Sequence, residues 1–190
     1  MTDLKPNVIA PVTGFWTWLF ARDSEGDRGL LNVINRWLAL HILVGATLAN
    51  LSTVDAQTAA RTIALPSAAI LVGLAFGWAG RSAGLLQDKS FSAFLIKHGP
   101  SPEGYVYAFQ LAILTVLIFI GVSFLIIVGG VGVTLGSPKL DDFVNSMIMF
   151  TMGSIALRES WGVIYFVNKL TIQYYRVREV ELSEAIERRE

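Results

Sequence analysis

The chain of 190 residues contains no cysteine. That absence removes disulfides, thiolate catalysis, iron–sulfur clusters and cysteine-based zinc sites together. Histidine is nearly as scarce. His41 and His98 are the only two, too few for a transition-metal site built within one chain, so neither a metal nor a cofactor is expected. Charged residues make up 16% of the sequence and cancel to a formal net charge of +0, which leaves no bulk attraction for nucleic acid or for an acidic substrate. The first thirty residues also lack the long apolar run and small-residue cleavage site of a secretion signal, and are expected to stay on the mature protein.

What is present is apolar. Hydrophobic residues account for 53% of the chain and the mean hydropathy is +0.54, more than an ordinary soluble domain carries. Four long apolar segments, 31–51, 63–85, 105–135 and 143–168, supply most of it. Each has roughly the ~20 residues that a helix rising 1.5 Å per residue needs to cross ~30 Å of hydrocarbon. The period-2 alternation of a barrel strand is absent. The expected fold is therefore all-α: an integral membrane four-helix bundle over 31–168, with short interfacial helices and a cytoplasmic C-terminal helical extension over 169–190. Residues 1–30 form a cytoplasmic or interfacial segment, aromatic-rich over 8–20, and a second interfacial helix is expected at about 89–97. Trp16, Trp18, Phe91, Phe94 and Trp161 are the expected interfacial anchors. Basic residues gather before the first segment, between the second and third, and after the fourth, while the other two links carry only Arg61 and Lys139. The positive-inside bias thus predicts a multi-pass protein of the cell membrane with both termini cytoplasmic.

Within this frame a few residues are candidates for function. Gly73, Gly77, Gly80 and Gly84 are spaced four, three and four, so they form a stripe on which another helix can approach closely, within one subunit or between subunits. Gly80 to Gly84 also spells the GxSxG pattern of serine hydrolases, but at the end of a membrane helix, without the strand–turn–helix context that exposes the serine. The run VGGVGVTLG over 128–136 offers backbone carbonyls to a narrow passage, although a frayed helix end is the commoner cause.

Counted from Asp141 and Asp142, Arg158 lies ~22–24 Å down the fourth segment, within the inner third of a bilayer. Arg36, His41, Arg81, Gln110, Arg158 and Glu159 then read as one intramembrane polar layer. Adjacent helical positions point ~100° apart, so Arg158 and Glu159 are expected to find partners elsewhere, Glu159 preferably with Arg36 or Arg81. Snorkelling of Arg158 to the headgroups is the alternative. Beyond Asn168 the helix is expected to continue as a charged extension with one apolar stripe.

No catalytic constellation is legible, and a non-enzymatic role is expected. The leading expectation is a membrane scaffold or sensor that forms homo-oligomers, docks a cytoplasmic or membrane protein partner, and contacts membrane lipids but no nucleic acid. By architecture alone, with no motif behind it, such a chain resembles the membrane component of two-gene bacterial antiphage systems of the Kiwa type, or an accessory subunit of a respiratory or photosynthetic complex. An oligomeric ion channel lined by the fourth segment is the other alternative.

Overall fold

The computed structural model describes residues 36–98, 102–129 and 136–187. The 8–20 segment with Trp16 and Trp18, and residues 130–135 of the glycine-rich run, lie outside them. Every regular element among the described residues is helical. In chain order these are α1 (Arg36–Leu51), α2 (Ala56–Leu86), α3 (Lys89–His98), α4 (Pro102–Val128) and α5 (Pro138–Glu187). Two of them, α2 and the Phe109–Val128 portion of α4, are long and apolar enough to cross a membrane, and the apolar part of α1, Trp37–Leu51, is shorter. On length and apolarity the expectation of four spanning helices is therefore met by two. In α5 the pair Arg158–Glu159 and scattered serines and threonines dilute an otherwise apolar stretch.

The helices start earlier than apolarity alone indicates, because polar groups cap them. Asp55 precedes α2 and its carboxylate accepts the Thr58 N–H at 2.9 Å and the Thr58 hydroxyl at 2.8 Å. Asp142, from the first turns of α5, accepts the Ala56 N–H at 2.7 Å. Two carboxylates at one helix N-terminus satisfy donors that the helix itself cannot and meet the positive end of its dipole. The link expected over 52–62 thus shrinks to residues 52–55. At the other end of α4, Gly129 takes a positive φ of 152°, a conformation reserved for glycine, and the helix stops at Val128 rather than near 135.

Directly after Ala59, α2 widens into a π turn of five residues, Ala60–Ala64. Pro66 follows at once. A proline cannot donate to the carbonyl four residues back and crowds it, and an extra residue in the preceding turn relieves that conflict. The same extra residue turns Ala56, Ala59, Ala60, Ala64 and Ala68 all inward, each at most 3% exposed. This alanine face is what packs on α4 and α5.

α5 is the axis of the molecule and touches every other helix, whereas α1 makes its principal contact with α5 alone. The core has two tiers along it. In one, the α2 alanines meet Val116, Phe119 and Ile126 of α4 and Met149 and Ala156 of α5. In the other, Phe91 and Leu95 of α3 meet Phe109 and Ala112 of α4 and Val163, Val167 and Leu170 of α5. α3 was expected to lie on the lipid surface with Phe91 as an anchor. Instead Phe91 and Leu95 are fully buried, and Phe91 stands edge-on to Tyr174 with ring centroids 5.4 Å apart. The long α5 offers a protein surface for those side chains, which a helix considered alone does not reveal. Phe94 is half-buried beside this tier, and Trp161 stays exposed on α5.

Candidate functional site

Three features stand out in the bundle, two polar groups and a glycine stripe. The first lies between α1 and α5. His41 is 6% exposed, and its Nδ1 is 2.8 Å from Ser154 Oγ. One turn further along α5, Arg158 grips Glu159: Nη2 is 2.7 Å and Nε 3.0 Å from the same carboxylate oxygen. His41 is close enough to feel both charges. Neighbouring positions on a helix do diverge by ~100°, yet the length of the guanidinium arm closes that angle. The expectation that Glu159 would turn to Arg36 or Arg81 is corrected on that point: the two charges serve each other.

Arg81 does not join them. The Asp142–Ala56 hydrogen bond sets α2 and α5 level with one another; from there Arg158 lies about 24 Å along its helix and Arg81 about 37 Å along its own. The roughly 13 Å between those depths exceeds any side-chain contact. Arg81 is exposed and lies over the Trp78 ring, 5.5 Å from its centroid, and Gln110 is exposed on α4. Arg36 opens α1.

His41 beside Ser154 invites comparison with a nucleophile and its base. The contact uses Nδ1, and among the described residues nothing holds Nε2, which is buried without a partner. Ser154 sits in mid-helix, where backbone N–H groups are consumed by the helix and none is left for an oxyanion hole. The pair is a polar tie between helices. Ser82 of the GxSxG pentapeptide is 1% exposed and donates to the Ala79 carbonyl within an unbroken helix, so it forms no nucleophile elbow.

The second group is a latch outside the apolar tiers. Asp88, in the turn between α2 and α3, accepts from Arg178 Nη2 at 2.5 Å and from the Tyr174 hydroxyl at 3.4 Å. Arg178 also donates Nε to Tyr174 at 3.2 Å and Nη1 to Glu181 at 2.9 Å. Asp88 caps α3 as well, accepting from the Ser90 hydroxyl and from the Ser90 and Phe91 N–H groups. The Ser90 hydroxyl above all, then the Phe91 N–H, with Arg178 adding to them, holds the Asp88 carboxyl below the usual carboxylate range. A depressed carboxylate stabilises above its unfolded pKa and ceases to do so as pH falls through its folded one. Acidification below about pH 4 is therefore expected to loosen α3 from α5, and Asp88→Asn to do so at neutral pH. Hydrogen exchange at the Phe91 and Leu95 amides, corrected for intrinsic rates, reads this directly; equal protection at pH 7 and pH 3 would contradict it.

The third feature is the glycine stripe. A Cβ added at Gly73, Gly77, Gly80 or Gly84 would meet nothing within 4 Å. These glycines lie about 140–200° around α2 from the buried Ala75, at ~100° per residue, so they face away from the bundle. Close approach inside the subunit falls to Gly45 of α1 instead. A Cβ there would stand 2.7 Å from the Met147 carbonyl and 2.9 Å from the Thr151 N–H, with the Thr151 hydroxyl nearer still. Gly153 lies under Phe119, whose ring would be 3.2 Å from an added Cβ. Both were missed in sequence. The available signal was the pairing of His41 and Gly45 four apart on one helix with Thr151 and Ser154 on the other, a small-and-polar face on each.

Beside the His41–Ser154 tie, an apolar cleft of about 400 Å³ opens between α1, α2, α4 and α5. Leu71, Phe119 and Met149 form its buried floor, and the exposed Ile63, Ile70 and Leu157 its rim. Set against known protein families, curated proteins and solved structures, the chain matches none.

Proposed function

We propose that this protein is a non-enzymatic, multi-pass membrane subunit that joins a larger assembly through the glycine face of α2. In this reading α1, α2, α4 and α5 cross the cell membrane. α3, both termini and the far end of α5 lie on the cytoplasmic side, and membrane lipids cover the remaining apolar surface.

The outward glycine face carries the reading. Each glycine in a helix costs about 1 kcal/mol relative to alanine, and four in register on α2 return nothing to the bundle they belong to. Around them Ile70, Leu74 and Phe76 are exposed. In lipid, where apolar burial gives helices no reason to associate, a row of glycines is what lets a neighbour's backbone come within van der Waals reach. The occupant is a helix of another subunit.

Light scattering of the protein purified from native membranes in mild detergent tests this. The wild type is expected to elute as an assembly, and Gly77→Leu as a smaller species with an unchanged helical circular dichroism spectrum. A wild type that is monomeric with nothing bound, or a Gly77→Leu variant of unchanged mass, would sink the reading.

A further inference from the structure

α5 carries a second face that the bundle leaves uncovered. Trp161, Tyr165, Ile172, Tyr175, Leu182 and Ile186 are each more than half exposed. With Asn168 and Glu179 they complete a run spaced alternately four and three residues apart from 161 to 186, the spacing that keeps one seam toward a partner helix. A like-spaced seam on the same helix, Val163, Val167, Leu170, Tyr174 and Val177, is already filled by α3 and α4. The exposed one is not. Its distal half runs among Lys169, Arg176, Arg178, Glu181 and Glu184, a charge density that places it in water, where lipid cannot cover Ile172, Tyr175, Leu182 and Ile186.

We propose that this seam pairs with the same seam of a second copy of the chain, as a parallel coiled coil projecting from the membrane. The inference rests on the proposed membrane reading in one respect: copies inserted the same way bring their α5 helices together in parallel, so each residue meets its own counterpart. The polar residues of the seam are compatible with that. Two Asn168 amides facing one another satisfy each other's donors and acceptors and fix the register. The basic residues flanking the seam meet no like charge across it, because parallel heptad pairing sets Lys169 opposite Ile164, Arg176 opposite Thr171 and Arg178 opposite Ser183. Glu179 alone faces its own charge, tempered by Arg176 three residues earlier on each helix. That residue makes the identity of the partner testable.

The absence of cysteine makes single-cysteine cross-linking in native membranes clean. Leu182→Cys is expected to give a disulfide-linked dimer of the chain on mild oxidation. Val180→Cys, exposed to a similar degree at 56% against 64% but on another face, is expected to give little. Adding Glu179→Leu to Leu182→Cys removes the self-repulsion and is expected to raise the cross-linked fraction several-fold. Equal cross-linking at 180 and 182, or none at 182, overturns the proposal. So does a fall on adding Glu179→Leu, the result for a different protein that offers a basic group there. The Leu182→Cys dimer is read independently of Gly77→Leu, so either result can fail while the other stands.

Discussion

Gly45→Ala is expected to destabilise the protein by about 2 kcal/mol, and Gly45→Val by about 3 or more, while Gly77→Ala is expected to be neutral or slightly stabilising. The contrast follows from what surrounds each glycine. At Gly45 the new methyl meets the backbone of α5, the Met147 carbonyl at 2.7 Å and the Thr151 N–H at 2.9 Å. Backbone within a helix cannot rotate aside, so the two helices must part. The gain of about 1 kcal/mol in helix propensity from glycine to alanine does not offset that. α1 has its principal contact with α5 alone, and parting them also separates His41 from Ser154. At Gly77 the same methyl enters open space and only the propensity gain remains. For a chain of this size 2 kcal/mol corresponds to a fall of about 4–8 °C in Tm, readable by thermal unfolding in detergent under matched conditions. A Gly45→Ala variant as stable as the wild type would mean that α1 is not seated on α5 as described.

Why one glycine was legible in the sequence and the other not has a physical basis. Four glycines at spacing four, three and four announce a stripe, and the sequence shows that stripe; it does not show which side of the helix the fold turns inward. α2 also carries alanines at 56, 60, 64 and 68, and the bundle uses that face. Gly45, a single small residue, becomes critical only because Thr151 lies opposite, more than a hundred positions later. The same limit governs α3. Phe91, Phe94 and Leu95 were visible as an amphipathic side, but an apolar side suits a bilayer surface and a neighbouring helix equally, and only the length of α5 beyond 168 decides between them. That extension was legible, since no glycine or proline interrupts 154–187 apart from Gly162. The caps were not: Asp55 and Asp142 read as link residues until their hydrogen bonds to α2 are seen.

The second large effect is expected at Arg158 and Glu159. Glu159→Gln is expected to cost about 3 kcal/mol, and the double substitution Arg158→Met with Glu159→Gln to restore most of it. The two residues sit where the core tiers meet on α5, between Ala156 of one and Val163 of the other, and their side chains are 33% and 18% exposed. Removing one partner leaves a cation in apolar surroundings with nothing to neutralise it; replacing both leaves no net charge between the two tiers. Among the described residues the guanidinium has no reserve partner, because its Nη1 is already buried without a hydrogen bond. On a Tm scale the single substitution corresponds to a fall of about 6–12 °C, and the coupling between the two positions in a double-mutant cycle should exceed 1 kcal/mol. Arg158 reaching instead to lipid headgroups would give a Glu159→Gln variant close to wild type and no coupling. The distinction bears on function as well as stability. Charges closed on one another present almost no net field to an ion, so a ring of copies meeting along α5 would offer a permeating ion no charged collar at this depth; a bare Arg158, as in Glu159→Gln, would. Conductance that appears only in that variant would show that the neighbouring carboxylate normally keeps the arginine from acting as one.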